Sequence, residues 1–70
     1  MSVLEQVATT KTKYQINIFH TRPGFPENVV FLKCYFAMSD DREELMRIYW
    51  HAFEQAHPTW AIKSVEAVAC

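Results

Sequence analysis

The sequence predicts a small α+β domain in which one amphipathic helix packs on one face of a three-stranded, mainly antiparallel sheet, in the order β-β-α-β. The stretch 39–56, SDDREELMRIYWHAFEQA, has the start signals and the apolar spacing of a helix. The segments before and after it alternate apolar and polar residues with the period of two that is typical of strands. A helix on one face of an antiparallel sheet defines the α+β class.

The helix is expected to begin at Ser39 or Asp40, whose side chains can accept hydrogen bonds from the free amides of a first turn. Glu43 stands three positions after Asp40 and completes a capping box. No glycine or proline follows until Pro58, so the helix is expected to end near position 56 or 57.

The apolar face of this helix covers an arc of roughly 200°, whereas one sheet surface requires a stripe only somewhat wider than roughly 100°. The surplus is expected on the edge that carries Met46 and Trp50. Either another part of the chain or a binding partner covers these two side chains, since Trp and Met are both enriched at interfaces.

The first strand is expected over residues 14–19, and the segment 20–28, HTRPGFPEN, is expected to be a loop because it holds two prolines and the only glycine. Residues 1–13 are interpreted first as a mobile N-terminal arm, with a helix or a strand left open. The last strand, 60–68, changes its alternation midway, which predicts a bulge or two short pieces. Its neighbour in the sheet is left open.

The second strand, 29–38, consists of two alternating sets that are both mainly apolar. The set expected to face the helix comprises Val30, Leu32, Cys34, Phe36 and Met38. The set expected on the outer face comprises Val29, Phe31, Lys33, Tyr35 and Ala37. That assignment places more apolar surface on the outer face than a solvated sheet needs, so Phe31 and Tyr35 become candidates for contact with a partner.

Length and composition bound the function. Seventy residues with 50% apolar content predict a single domain, 1–70, and a net charge of −1 from scattered lysines and arginines argues against a nucleic-acid footprint. Two cysteines without metal or redox spacing fit free thiols in a reducing cytoplasm. No leader pattern and no membrane-spanning apolar run is evident in the sequence.

No constellation in the sequence predicts catalysis or a cofactor. The three histidines lack the spacing of a zinc motif, and Cys34 is expected to be buried, where a thiol is inert. One glycine in the whole chain excludes a glycine-rich phosphate loop. We therefore expect a protein that is not an enzyme and holds no metal.

The sequence favours a protein-protein interaction module that docks onto a larger protein, in the manner of small phage or mobile-element inhibitors that block a host protein. Its candidate binding residues are Arg22, Phe25, Phe31, Tyr35, Met46 and Trp50. Two alternatives stay open. One is a structural homodimer. The other is a small nucleic-acid-binding regulator, in which Phe31 and Tyr35 stack bases beside Lys11, Lys13, Arg22 and Lys33.

Overall fold

The computed structural model describes residues 11–70, and it confirms the predicted β-β-α-β order. Strand β1 spans Thr12–Thr21, strand β2 spans Phe31–Ser39, helix α1 spans Arg42–Ala56, and strand β3 spans Ala61–Ala69. No helix in this described part is long and apolar enough to cross a membrane.

The three strands form one sheet in the order β2-β1-β3, and β1 pairs antiparallel with both neighbours. The last strand therefore lies beside β1. The sequence pattern alone was compatible with either neighbour. Because β2 and β3 are each antiparallel to β1, they run in the same direction and form the two edges of the sheet. The helix connects one edge to the other across the central strand.

The core lies between the helix and the inner face of the sheet, the face that α1 covers. Tyr14, Ile16, Ile18 and His20 alternate along β1 onto this face, and the last three are fully buried. The buried apolar residues of the described chain are Ile16, Ile18, Leu45, Phe53 and Ala67. Branched Ile side chains suit a pleated, buried strand, which explains why β1 forms the centre of the sheet.

The helix begins one residue later than the sequence predicted. Asp41 is the N-cap residue, and its Oδ1 accepts a hydrogen bond from the backbone amide of Glu44 at 3.1 Å. Ser39 instead bonds the backbone of Asp41, with its Oγ 3.0 Å from the Asp41 amide nitrogen. The predicted end near position 56 is confirmed. In the first turn of α1, Arg42 Nε donates a hydrogen bond to the carbonyl oxygen of Ala67 at 2.7 Å, which links α1 to β3.

The predicted irregularity in the last strand is confirmed as a β-bulge. Phe19 pairs with Ser64, but the next residue of β1, His20, pairs with Ile62, so Lys63 is the extra residue. The bulge lets Ile62 and Val65 both reach the inner face although they are three positions apart.

The predicted facing of β2 is wrong. Tyr35 lies opposite Ile16 in the register, and residues directly opposite each other share a face, so Tyr35 and its alternates Phe31 and Ala37 are on the inner face. Leu32 and its alternates are on the outer face, exposed. Both sets are apolar, so the strand's own sequence did not distinguish the two faces.

The structure also corrects the ends of the first two strands. His20 belongs to β1 and not to the loop, and β2 starts at Phe31 and not at position 29. The loop between them turns at Gly24, whose φ of 90° favours glycine. Of the proposed arm 1–13, Thr12 and Lys13 lie in β1, and residues 1–10 fall outside the described part.

Candidate interaction surfaces

Three of the predicted binding residues lie together at the end of the sheet next to the loop. Phe25 contacts Phe31 edge-on, with ring centroids 4.9 Å apart. The guanidinium carbon of Arg22 lies 4.3 Å from the Phe31 centroid and 4.1 Å from the Trp60 centroid. Cation–π contacts to two rings hold Arg22 within the fold. Phe25, at 53% exposure, is the member of this trio most open to a partner.

His20 organises the same end of the sheet, which the sequence reasoning missed. Its Nδ1 lies 3.1 Å from the carbonyl oxygen of Ile18, and its Nε2 accepts from Arg22 Nε at 3.2 Å. A carbonyl only accepts, so the hydrogen bonds place the ring hydrogen on Nδ1. The ring stacks on Trp60 with planes 5° apart, and Trp60 stacks on His57 with planes 3° apart. His20 is therefore a structural residue, with both ring nitrogens engaged.

Tyr35 and the helix flank lie away from this aromatic end. Tyr35 packs on Tyr49 of α1, with ring centroids 5.3 Å apart. Met46 is half-buried, and with Trp50 and Val65 it lines an open groove of about 460 Å³ whose rim carries Glu43, Arg47, His51 and Glu54. The structure thus divides the six predicted residues among three separate places.

The apolar surplus of the helix is not confined to the Met46 and Trp50 edge. Trp50 is 38% exposed, but Ile48, at the other end of the apolar arc, is 53% exposed. One sheet face covers a stripe only somewhat wider than roughly 100°, which is much less than this arc. Both flanks of the helix consequently present apolar side chains to solvent.

The outer face of the sheet carries several exposed apolar side chains. Along β2 it presents a row of side chains that we call the β2 stripe: Leu32, Cys34, Phe36 and Met38. Leu32, Phe36 and Met38 are 55%, 59% and 57% exposed. On β3, Val68 adds a further exposed apolar side chain. Nothing within residues 11–70 packs over this face.

A row of hydrogen-bonded polar side chains crosses the middle of the outer face. Cys34 Sγ donates to Asn17 Oδ1 at 3.1 Å, and Asn17 Nδ2 donates to Glu66 Oε2 at 2.9 Å, which links all three strands. Gln15 Nε2 lies 2.9 Å from Cys34 Sγ. Gln15 and Asn17 lie on β1 and Glu66 lies on β3, so most of the exposed apolar side chains of this face lie on β2.

The residues that the sequence raised as metal or nucleophile candidates can be located in the structure. Among residues 11–70 no group of three or more His, Cys, Asp or Glu side chains is placed to hold a metal ion. Cys34, which the sequence placed in the core, is exposed. It hydrogen-bonds to amide side chains, and no histidine accompanies it in that polar row.

Comparison of this chain with models of protein families, with curated proteins and with solved structures gave no significant match. Any functional conclusion therefore depends on the surfaces described above.

Proposed function

We propose that this protein is a non-enzymatic protein-protein interaction module whose contact surface is the outer face of the sheet, centred on the β2 stripe. Blocking of a larger host protein, as small phage or mobile-element inhibitors do, is the mode of action that we favour. The carrying observation is that Leu32, Phe36 and Met38, each more than half exposed, lie in one row on a rigid strand.

Exposed apolar side chains are ordinary when single, but a contiguous row is typical of a binding surface. The stripe alternates with inner-face residues that pack against the core, so the backbone beneath it is fixed by Tyr35 and Ala37. A partner that binds to a fixed strand loses less conformational entropy than one that binds to a loop. These features support a preformed docking surface.

The side chains of the outer face indicate the chemical character of a complementary partner surface. The apolar stripe is bordered by the amides of Gln15 and Asn17 and by the carboxylate of Glu66. Lys13 Nζ lies 5.3 Å from the ring centroid of Phe36 at one end. A complementary protein surface has an apolar centre with hydrogen-bonding groups along one side, the arrangement of an interface core and rim.

The nucleic-acid alternative loses its main physical argument. It required Phe31 and Tyr35 as an open platform for base stacking, but both lie on the inner face with the helix. Arg22 is already engaged with Phe31 and Trp60. Counterion release from a chain of net charge −1 supplies little drive for binding.

The test is affinity capture from lysate with and without nuclease, comparing the tagged wild-type protein with two variants. Phe36→Ser changes the centre of the stripe, and Trp50→Ser removes an exposed aromatic from the opposite layer. In the presence of nuclease, we expect the wild type and Trp50→Ser to capture the same stoichiometric protein. Phe36→Ser should bind this protein at least about tenfold more weakly, a loss of about 1.4 kcal/mol in binding free energy.

Equal capture by Phe36→Ser and the wild type would show that the stripe is not the binding surface. Loss with Trp50→Ser alone would assign binding to the helix flank. Capture only without nuclease, weakening steeply with salt, would favour the nucleic-acid alternative. Thermal unfolding of each variant provides the control for folding.

A further inference from the structure

We infer that the free edge of β2 pairs antiparallel with the β2 edge of a second copy of this chain, giving a continuous six-stranded sheet. The inference concerns the strand edge and not the outer face alone. It holds whether or not a larger protein binds the stripe, and the two proposals fail separately.

The two edges of the sheet differ in how they are protected. On β3, the bulge at Lys63 interrupts the regular ladder, and Arg42 Nε already occupies the carbonyl oxygen of Ala67. Charges, bulges and covering groups are the means by which proteins prevent edge strands from pairing. Edge β3 is therefore a poor template for another strand.

Edge β2 is less protected, because its pairing with β1 contains no bulge and it carries a single charge. Its nine residues, FLKCYFAMS, contain no proline or glycine, and their pairing with β1 is regular along the whole strand. Lys33 is its only charge. Every second residue has its backbone N–H and C=O directed away from β1, and among residues 11–70 no strand pairs with them. This edge can therefore pair with another strand.

A two-fold axis makes an antiparallel strand pair self-complementary, because each copy presents the same groups to the other. The register that pairs all nine residues places Tyr35 opposite Tyr35 of the second copy. On the outer face the resulting cross-strand neighbours are Leu32 with Met38 and Cys34 with Phe36. On the inner face they are Phe31 with Ser39 and Lys33 with Ala37.

This register satisfies the physical rules for cross-strand pairs. Every outer-face pair joins apolar or weakly polar side chains, the combination that stabilises neighbouring strands. Lys33 faces Ala37 of the second copy, so the like charges are not opposed. The register also joins the two β2 stripes side by side into one apolar surface twice as wide.

A strand pair of nine residues makes a small interface, at the low end of specific interfaces, below about 1,200 Å². We therefore expect reversible dimerisation. Sedimentation equilibrium of the full chain, over about 1 μM to 1 mM, should show the mass rising from 8.2 kDa towards twice that value. A constant mass of 8.2 kDa throughout would overturn the proposal.

A matched pair of double variants locates the interface. Leu32→Lys with Met38→Lys places lysines opposite each other at both ends of the proposed pairing. Ser64→Lys with Val68→Lys adds the same charge to the outer face of β3. We expect the first to weaken dimerisation at least about tenfold and the second to leave it within about twofold. The reverse result would assign the interface to β3.

Thiol cross-linking tests the register. In a Cys70→Ser background, Phe36→Cys places a new thiol opposite Cys34 of the second copy, within the Cα separation of about 4.4–6.8 Å that a disulfide requires. Val68→Cys, at a similarly exposed outer-face position, is the control. Under oxidised glutathione, we expect a covalent dimer to form at least about ten times faster with Phe36→Cys, because proximity raises the effective thiol concentration.

Equal cross-linking rates for the two cysteine variants would exclude the register. A full-length chain that stays monomeric at every concentration would exclude the pairing itself. Either result leaves the outer-face proposal standing, because affinity capture depends on the stripe and not on the strand edge.

Discussion

Both faces of the sheet carry large apolar side chains, but the two faces differ in what these side chains contact. On the inner face, Ile16 and Ile18 are fully buried under the helix. On the outer face, Leu32 and Phe36 are more than half exposed. Residue type therefore does not distinguish a core position from a surface position in this chain. The register with β1 determines which face of the sheet a residue of β2 lies on.

The comparison also separates stability from binding. Burial of an Ile side chain on the inner face contributes to the free energy of unfolding, at about 25 cal/mol per Å² of apolar surface removed from water. An exposed side chain contributes little until something covers it. The outer face thus retains apolar surface that a partner or a second copy can use.

The largest expected effect comes from the inner face. Ile16→Ala should lower the free energy of unfolding by about 2–5 kcal/mol, through lost burial and the cavity left in a small core. A domain of this size has about 3–5 kcal/mol in total, so much of the protein should be unfolded at 25 °C. Urea denaturation followed by circular dichroism measures this. A change below about 0.5 kcal/mol would contradict the assigned core.

An intermediate effect is expected where the helix is anchored over the inner face. Asp41→Ala removes the N-cap acceptor of the Glu44 amide and should cost about 1 kcal/mol. Asp40→Ala, one residue earlier and exposed, is the matched control and should change stability by less than about 0.5 kcal/mol. Thermal unfolding of the two variants measures which substitution lowers stability more. If Asp40→Ala proved the more destabilising, the helix would begin where the sequence first indicated.

The smallest expected effect comes from the outer face. Leu32→Ala removes the same number of carbon atoms as Ile16→Ala, but from a side chain that is 55% exposed. In dilute protein it should change the free energy of unfolding by less than about 0.5 kcal/mol. The measurement is the same urea titration, at a concentration where the chain is monomeric. A loss comparable to that of Ile16→Ala would mean that the outer face is covered in solution.

Much of the fold was predictable because local signals and tertiary structure agree. The alternation of Ile16 and Ile18, the capping residues before the helix and the change of alternation in the last strand each predicted the correct element. The N-cap was misplaced by one residue because Ser39, Asp40 and Asp41 are all good caps. Strand order was not predictable, since either neighbour was compatible with the sequence pattern.

The candidate surface was less predictable. In β2 both alternating sets are apolar, so the facing of Phe31 and Tyr35 depended on the register with β1, which the strand's own sequence does not encode. His20 did carry a signal, because it continues the alternation of Ile16 and Ile18. The proline-rich composition after it outweighed that signal. The exposure of Ile48 was not predictable, because the sequence does not show which part of a roughly 200° apolar arc the sheet covers.

The position of β1 at the centre of the sheet has a consequence for folding. Its pairing with β2 needs only the closure of the intervening loop, so this hairpin can form early. Its pairing with β3 joins residues such as Asn17 and Glu66, which are 49 positions apart. Closing so long a loop is slow, and until it closes β1 has one side unpaired. A nascent or partly folded chain therefore exposes two apolar strand edges, and the arrival of β3 removes one of these two sites of aggregation.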